Sequence, residues 1–366
     1  MTILHVSTAK TWRGGEQQLA YLLKATKASH KSVVICAAGS HMQQYCLEND
    51  IAHHTITRPF LLGWFSAYTL SKVSGRIQAD LIHCHDSHAH SMAIWAAWLF
   101  RNEVPVVVHR RAGFPMHRNF FSAFKYSHQT VAGYISVSEQ VKHILQTGLK
   151  TEKYIETIYS GIDLERFKHN EQNSGVLRHL LNLPPQTVLV GNTAALTAEK
   201  DHLTFIRVAG LLHKSYPDWR FVIIGDGPMR ERLQTEILKA ALTEVVFMTG
   251  FRKDIANLLA DLDVLLMPST TEGLGTSILD AFACGTAVVA TRTGGIPELV
   301  KEGVTGLLAD PGDAESLARH VETMLTHAEL RSLIVTQARE KVRQFDYHEM
   351  AEKTIKFYAK VLNDSK

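Results

Sequence analysis

Short apolar runs rich in β-branched residues alternate with segments of helical periodicity along the whole chain. This alternation restricts the possible fold more than any other feature. The runs are TILHVST, SVVICAAG, DLIHCH, PVVVHR, YISVS, TVLVGNT, RFVIIGDG, EVVFMTG, DVLLMPS, TAVVAT and TGLLADP. Runs that are apolar almost without interruption are typical of parallel strands covered on both faces. The alternation predicts βαβ units and a doubly wound α/β fold that is built twice.

The chain has 366 residues, and at roughly 150 residues per domain this length indicates two domains. We place the boundary in the polar stretch 168–174 or in the loop with Pro184 and Pro185. The predicted domains are 1–170 and 171–345. A lone C-terminal helix over 346–366 is expected to pack back on the first domain. Two facing Rossmann-like domains form a deep cleft, and ligands bind there at the carboxyl ends of the strands.

Composition excludes several classes of protein. With 39 Lys plus Arg and 36 Asp plus Glu, the net charge of +3 is too balanced for a dedicated nucleic-acid binder. The four cysteines form no CxxC pair and indicate neither a disulfide framework nor a zinc site. The N-terminus has no signal-peptide pattern, and the longest apolar run, MAIWAAWLF, is about half the length needed to span a bilayer. A cytoplasmic protein in a reducing compartment is expected.

The segment 268–300, PSTTEGLGTSILDAFACGTAVVATRTGGIPELV, is the most informative part of the sequence. A strand leads to Glu272 and a Gly-x-Gly loop, and a helix then begins near Thr276 and Ser277. Its free N–H groups and dipole suit phosphates. Asp280 lies one helical turn beyond Thr276. The two carboxylates suit sugar or ribose hydroxyls, which donate hydrogen bonds to them. The alternative is an ordinary strand-to-helix loop with capping residues.

This stretch resembles the signature of the retaining glycosyltransferases of family 4, group 1, in which a Glu and a Gly-x-Gly turn precede a second acidic residue. Further segments are similar to the family in order and type: ILHVSTAKTWRGGEQQLAYLL, ISVSEQVKHIL, YIETIYSGIDLERF, GDGPMRERL, FMTGFRKDIANLLADLDVLLMPS and GGIPELVKEGVTGLLADPGDAESLA. The matches are densest from Phe221 to Ala318. The resemblance implies the GT-B fold, with an acceptor-binding first domain and a nucleotide-sugar-binding second domain.

The resemblance also implies roles for individual residues. Glu272 would hold the donor sugar near the reacting carbon, and Lys200 would contact the diphosphate. The implied donor-binding set is Gly14, Gly15, Gly225, Arg252, Gly273, Leu274, Gly275, Thr276, Ser277 and Asp280. Two positions depart from the family pattern. Ala195 stands where the family carries a second phosphate-binding Arg, and Asp280 stands where it usually has Glu.

In the first domain, the strand PVVVHRRAGFP ends where many relatives have a His that contacts the donor sugar. Matching this segment to the family motif places Arg111 at that position, with His109 two residues earlier. Both are kept as catalytic candidates. The alternative is that Arg110 and Arg111 are ordinary basic loop residues that bind acceptor phosphate or nothing.

Two patterns suggest metal ligands. His83, His85, His88 and His90 could form a zinc site only if three or four of them converged. The favoured interpretation is that His85 faces the cleft and the others are structural. Asp261 and Asp263 form a DxD sequence where a helix passes into a buried strand, and we interpret them as structural. No metal and no cofactor are expected.

The expected function is retaining, metal-independent transfer of a sugar from a nucleotide diphosphate sugar to an acceptor hydroxyl, in bacterial surface-glycan or lipopolysaccharide-type biosynthesis. The alternatives are a non-hydrolysing sugar-nucleotide epimerase and a non-catalytic sugar-nucleotide-binding protein. A dehydrogenase is disfavoured because GDGPMR lacks the third glycine of the dinucleotide fingerprint. The acceptor is expected to be a saccharide or lipid-linked. The segment 109–127 mixes basic and aromatic residues, which suits either an anionic surface at the inner face of the membrane or a solvated helix with an aromatic core face.

Overall fold

The structure is a computed structural model that describes residues 1–57, 63–114, 120–149, 153–167 and 175–363. The chain divides into two compact units, Met1–Gly161 with Tyr347–Lys366 and Ile162–Asp346. The units therefore divide between Gly161 and Ile162. Of the two predicted boundaries, 168–174 lies outside the described residues, and the loop with Pro184 and Pro185 lies within the second unit.

The first unit is a parallel sheet with the strand order β3-β2-β1-β4-β5-β6-β7. Its strands are β1 (Thr2–Ser7), β2 (Lys31–Ala37), β3 (His53–Ile56), β4 (Leu81–Cys84), β5 (Val106–Arg110), β6 (Val131–Ser136) and β7 (Tyr154–Thr157). Its helices are α1 (Gly14–Thr26), α2 (His41–Glu48), α3 (Gly63–Ile77), α4 (Ser87–Phe100), α5 (Phe120–Ser127), α6 (Glu139–Gly148) and, at the end of the chain, α15 (Tyr347–Asn363).

The second unit is a parallel sheet with the order β10-β9-β8-β11-β12-β13. Its strands are β8 (Leu189–Thr193), β9 (Arg220–Ile224), β10 (Val246–Gly250), β11 (Val264–Met267), β12 (Ala287–Thr291) and β13 (Leu307–Ala309). Its helices are α7 (Val176–Leu180), α8 (His202–Ser215), α9 (Arg230–Lys239), α10 (Ile255–Ala260), α11 (Thr276–Cys284), α12 (Ile296–Leu299), α13 (Ala314–Thr326) and α14 (Ala328–Val342). The prediction of two Rossmann-like parallel sheets is confirmed.

All eleven apolar runs form strands, and two further strands, β3 and β7, were not predicted. Both lie at the edges of the first sheet. Their sequences, HHTI and YIET, are only partly buried, and one residue of the eight is fully covered. These two edge strands are covered less than the central ones, so they lack the continuous apolar run by which buried parallel strands are recognised.

The C-terminal helix α15 belongs to the core of the first unit. Phe357, Tyr358 and Val361 are buried in one cluster with residues of the central strands, among them Ile3 and Val107. The Tyr358 hydroxyl contacts Nδ1 of His83 at 2.5 Å. The first unit is therefore formed by two segments of the chain, and the whole second unit lies between them in the sequence. Among the described helices, none combines the length and the apolar composition that crossing a bilayer requires.

Candidate active site

Glu272 follows β11 in the second unit and is held by two hydrogen bonds. Its Oε1 accepts from Nζ of Lys200 at 2.5 Å and from Oγ of Ser269 at 2.9 Å. The carboxylate is buried, and Lys200 is the charge that compensates it. An ion pair of this kind has a fixed geometry because a buried carboxylate without its partner would be costly. The two catalytic candidates predicted for this domain are thus in direct contact.

Lys200 is positioned by the loop that follows β8. It ends a short 3₁₀ helix, Ala198–Lys200, directly before α8. The carbonyl of Glu199 accepts a hydrogen bond from the backbone N–H of Thr270 at 2.8 Å. This bond joins the loop of Lys200 to the loop of Glu272, so two segments far apart in sequence present one ion pair.

The Gly-x-Gly turn has a backbone that other residues could not adopt without strain. Gly275 has φ +91° and is the N-cap of α11. Gly294, with φ +54°, approaches the turn so closely that a Cβ atom would lie 1.8 Å from the carbonyl oxygen of Glu272. Leu274 is buried between the two glycines of the turn. A glycine N-cap has no side chain to cover the first N–H groups of α11, which makes this helix end suitable for an anion.

Asp280 lies on the first turns of α11, one turn beyond Thr276. It is partly buried, and burial raises its pKa to about 6, although the nearby Arg166 acts in the opposite direction. The neighbouring Ser277 joins α11 to the end of β8, since its Oγ donates to the carbonyl of Thr193 at 2.8 Å. Asp280 therefore changes its charge within the range in which enzymes are assayed.

Gly225 and Arg252 have contacts within the unit. Gly225 has φ +148°, and a Cβ atom there would lie 1.9 Å from the carbonyl oxygen of Ala194. The Arg252 guanidinium donates to both carboxylate oxygens of Asp254, at 2.9 and 2.7 Å. Gly225 thus has a packing role whether or not it also contacts a donor, and the Arg252 side chain has an acidic partner within its own loop.

The DxD sequence has a structural role, as expected. Asp261 accepts hydrogen bonds from the backbone N–H groups of Gly175 and Leu177 at the start of α7. Asp263 pairs with Arg178 at 3.1 Å and accepts from the backbone of Leu189 at 2.9 Å. Both carboxylates are therefore used to attach α7 to the sheet.

In the first unit, both candidates at the end of β5 lie in one cluster. Nη2 of Arg111 is 3.2 Å from Nδ1 of His109 and 3.4 Å from Nδ1 of His85. The arginine also packs on the N-terminus of α1, where a Cβ on Gly15 would be 3.5 Å from its Cδ, whereas Gly14 is exposed. Burial lowers the pKa of Arg111 to about 10, and the carboxylate of Glu16 counteracts that shift.

The hydrogen bonds of Arg111 determine the imidazole tautomers. A guanidinium only donates, so Nδ1 of His85 and of His109 must accept and their protons lie on Nε2. Nε2 of His85 then donates to Nδ1 of His5 at 3.1 Å. Among the described residues, Nε2 of His5 and Nε2 of His109 are buried without a hydrogen-bond partner. These two buried N–H groups therefore still have donor capacity that the described residues do not use.

The zinc quartet suggested by the sequence does not form. His88 is exposed, and His90 packs edge-on against Tyr126 with ring centroids 5.0 Å apart. Within the described chain, the one group of three close metal-ligating side chains is His5, His83 and His85, with their ligand atoms within 4.8 Å of one another. Nε2 of His85 and Nδ1 of His5 share a proton in their hydrogen bond, so neither is available to bind a metal ion. Arg111 also places a positive charge beside them, which would repel a cation. The cluster therefore fits an oxygen ligand better than a cation.

Three residues of these sites were not predicted: Ser269, Glu16 and His5. Ser269 orients Glu272, and its only signal is its position three residues earlier. Glu16 accepts from Oγ of Ser7 at 3.2 Å and from the backbone of Arg13 at 3.1 Å, which also caps α1. A Glu soon after the Gly-Gly pair and a His inside an apolar strand are the signals that could have identified Glu16 and His5.

Comparison with protein families covers both units. The family described as Glycosyltransferase Family 4 matches residues 12–166, and the family described as Glycosyl transferases group 1 matches residues 178–341. The two matches together span most of the chain. The chain belongs to the group 1 glycosyltransferases. Its two parallel sheets and its structural relatives identify the α/β GT-B fold, as predicted.

Among curated proteins, this chain is similar to the sulfoquinovosyl transferase SQD2 of Arabidopsis thaliana, with 27% identity over 74% of this chain and 55% of the relative. It is 33% identical to the putative colanic acid biosynthesis glycosyltransferase WcaL of Salmonella typhimurium, over 52% of this chain and 47% of the relative. It is 30% identical to the 2-deoxystreptamine glucosyltransferase of Streptomyces kanamyceticus, over 63% and 61%. The aligned chain thus spans between about half and three fifths of these relatives.

Among solved structures, this chain resembles Anabaena Alr3699/HepE in complex with UDP and glucose. The TM-score is 0.86 at 23% identity, and the match covers 98% of this chain and 100% of that chain. A glycosyltransferase from Rickettsia africae gives a TM-score of 0.84 at 20% identity, over 99% and 98%. At these identities the likeness establishes the fold.

Proposed function

We propose that this chain is a retaining glycosyltransferase that moves a sugar from a nucleotide diphosphate sugar to an acceptor hydroxyl without a metal or other cofactor. The observation that carries the proposal is the Lys200–Glu272 pair beside the uncapped N-terminus of α11. It combines a cation, a carboxylate and free N–H groups, which are the three components that a sugar diphosphate needs.

In the proposed reaction, the departing diphosphate carries the charge that develops in the transition state. The ammonium of Lys200 and the N–H groups at Gly275, Thr276 and Ser277 would stabilise it electrostatically. Glu272 would accept hydrogen bonds from the donor sugar, and Asp280 from the ribose. The leaving phosphate would take the proton of the acceptor hydroxyl on the same face, which retains the anomeric configuration.

The known proteins support the choice of donor. Alr3699/HepE has been solved with UDP-glucose and with UDP and glucose. The curated relatives are named as a sulfoquinovosyl transferase, a putative colanic acid biosynthesis glycosyltransferase and a 2-deoxystreptamine glucosyltransferase. These proteins support a nucleotide-sugar donor and a role in glycan biosynthesis. We propose that the glycan is a bacterial surface glycan. They do not favour the epimerase.

The hydrogen bonds of Asp261 and Asp263 support the metal-independent reaction, because these carboxylates already accept from α7 and β8. The cluster of Arg111, His109 and His5 supports a second binding region in the first unit, which we assign to donor-sugar or acceptor oxygens. The acceptor is proposed to be a saccharide or a lipid-linked saccharide.

A thermal-shift panel of UDP-, GDP- and ADP-sugars tests the donor, because a ligand that binds the native state raises the melting temperature. Slow hydrolysis of the stabilising donor, followed by NMR, then tests the stereochemistry. The released sugar should appear first as the anomer of the donor, and added EDTA should leave the rate unchanged. Release of the opposite anomer, formation of an epimer, or no stabilisation by any nucleotide sugar would contradict the proposal.

A further inference from the structure

The first unit exposes an unusual number of large aromatic side chains on one layer of helices. We define the aromatic surface by six of them: Trp64, Phe65, Tyr68, Trp95, Trp98 and Phe124. Their exposed fractions run from 39% for Phe124 to 59% for Trp98. Single exposed apolar residues are normal in proteins, whereas a connected group marks an interaction surface.

Ring contacts connect the three helices of this layer. Tyr68 of α3 contacts Phe100 of α4 with centroids 5.4 Å apart, and Trp98 of α4 contacts Phe124 of α5 at 6.4 Å. Trp95 and Trp98 contact each other at 5.4 Å. Aromatic rings 4.5–7 Å apart attract each other, so Trp95, Trp98 and Phe124 form one connected group, and the Tyr68–Phe100 contact joins α3 to α4 beside it.

Helix α4 is apolar on both of its sides. Its inner side packs Ala89, Ala93 and Ala96 into the core of the first unit, while its outer side exposes Trp95 and Trp98. Its sequence, SHAHSMAIWAAWLF, contains no Asp, Glu, Lys or Arg. A helix that is apolar all round is normally covered on both sides, so the outer side of α4 requires a partner.

The charge around the aromatic surface is positive. Helices α3, α4 and α5 contain no acidic residue. Lys72, Arg76 and Arg101 are exposed beside them, and Nζ of Lys72 lies 5.4 Å from the ring centroid of Tyr68. Of the acids between residues 63 and 127, Asp80 and Asp86 accept from backbone N–H groups of the first unit, and Glu103 is exposed.

We propose that the aromatic surface docks this glycosyltransferase on an anionic lipid bilayer. Trp and Tyr are the side chains enriched at the boundary between headgroups and acyl chains, because one end of the ring system is apolar and the other polar. Basic side chains beside them are attracted by anionic headgroups. The surface lies on α3 and α4 as well as α5, and so extends well beyond the segment 109–127, of which residues 115–119 lie outside the described residues.

Co-sedimentation with vesicles tests the proposal. Wild-type protein should pellet with vesicles of phosphatidylcholine and phosphatidylglycerol, and far less with pure phosphatidylcholine or at high salt. The double variant Trp95→Ser/Trp98→Ser should bind about tenfold more weakly or worse, because two rings no longer enter the interface. Lys72→Gln and Arg76→Gln should each weaken binding about fivefold, and only to anionic vesicles.

Matched controls come from the second unit. Leu238→Ser and Leu333→Ser remove side chains that are 68% and 58% exposed, and should leave vesicle binding unchanged. The variants at Lys72, Arg76, Leu238 and Leu333 should keep the wild-type melting temperature, since these side chains are exposed. Glu272→Ala should bind vesicles like the wild type, so a failure of the proposed transfer reaction is distinguishable from a failure of docking.

Two results would overturn the proposal. One is wild-type protein that stays in the supernatant with anionic vesicles at low salt. The other is a dimer, seen by light scattering, that the Trp95→Ser/Trp98→Ser variant converts to monomer, because a second copy of the chain would then cover the surface.

Discussion

The ammonium of Lys200 and the carboxylate of Glu272 lie 2.5 Å apart, although 71 residues separate them in the chain. Without a ligand each group is the counter-ion of the other. A donor diphosphate would compete with Glu272 for Lys200. In the absence of donor, the carboxylate of Glu272 neutralises the positive charge of Lys200. The two residues should therefore respond differently to substitution.

Removing Lys200 should weaken both binding and transfer. We expect Lys200→Ala to lower the transfer or hydrolysis rate by about 10²–10³-fold and to reduce stabilisation by nucleotide diphosphate, because one stabilising charge is lost. Glu272→Gln should lower the rate to a similar extent but should bind the free nucleotide diphosphate at least as tightly as the wild type, because Lys200 no longer has a competing carboxylate. Calorimetry with the diphosphate and a turnover assay separate the two. Equal losses of affinity in both variants would argue against this account of the pair.

Asp280 predicts a pH dependence of stability. Its pKa of about 6 lies above the 3.8 of an unperturbed Asp, so the native state binds its proton more tightly than the unfolded state does. The contribution of Asp280 to stability should therefore fall as the pH rises from 4 to 6, and the full cost of its charge persists above 6. Asp280→Asn should raise the free energy of unfolding by about 2–3 kcal/mol at pH 7.5 and by little at pH 4. Denaturant unfolding at both pH values measures this.

The same substitution should weaken the binding of donor, because an amide accepts a ribose hydroxyl less well than a carboxylate. Wild-type affinity should also decrease as the pH falls through 6. Affinity that is unchanged in Asp280→Asn would exclude Asp280 from the ribose site while leaving the stability prediction untouched.

Gly294 and Gly303 offer a matched pair of substitutions. Both have positive φ, +54° and +70°, but a Cβ on Gly294 would lie 1.8 Å from the carbonyl oxygen of Glu272, whereas Gly303 has nothing within 4 Å. Gly303→Ala should cost about 1 kcal/mol of backbone strain, or roughly 2–4 °C in melting temperature. Gly294→Ala must also displace the loop of Glu272 and should cost several times more and abolish transfer. Similar melting temperatures for the two variants would contradict the close packing of these loops.

The buried histidines of the first unit predict sensitivity to acid. Burial lowers the pKa of His5 to about 3 and that of His83, His85 and His109 well below 6.5. At these histidines the unfolded state therefore binds more protons below pH 6.5, and their contribution to stability should fall as the pH decreases from there, opposite in sign to that of Asp280. His5 alone should contribute about 2 kcal/mol of that loss by pH 5.

Thermal melts at pH 7 and pH 5 measure this effect. The melting temperature of His5→Phe, which cannot be protonated at this position, should depend less on pH than that of the wild type. Replacing the exposed His88 with Gln should leave the dependence unchanged. A melting temperature of the Asp280→Asn variant that is constant between pH 7 and pH 5 would contradict the neutral, buried cluster, because this variant lacks the opposing contribution of Asp280.

Local sequence determined the strands, the family and the main donor-site candidates, because each depends on residues close together in the chain. Continuous apolar runs identified eleven strands, and the spacing of Glu272, the Gly-x-Gly turn and Asp280 identified the start of α11. Edge strands β3 and β7 were missed because they have no such run. The tertiary structure alone decided which distant residues meet. It paired Lys200 with Glu272, added His5 to the cluster around Arg111, and separated His88 and His90 from it. These contacts depend on how parallel strands align their carboxyl ends and on which helix covers which face, and neither is encoded in the spacing of neighbouring residues.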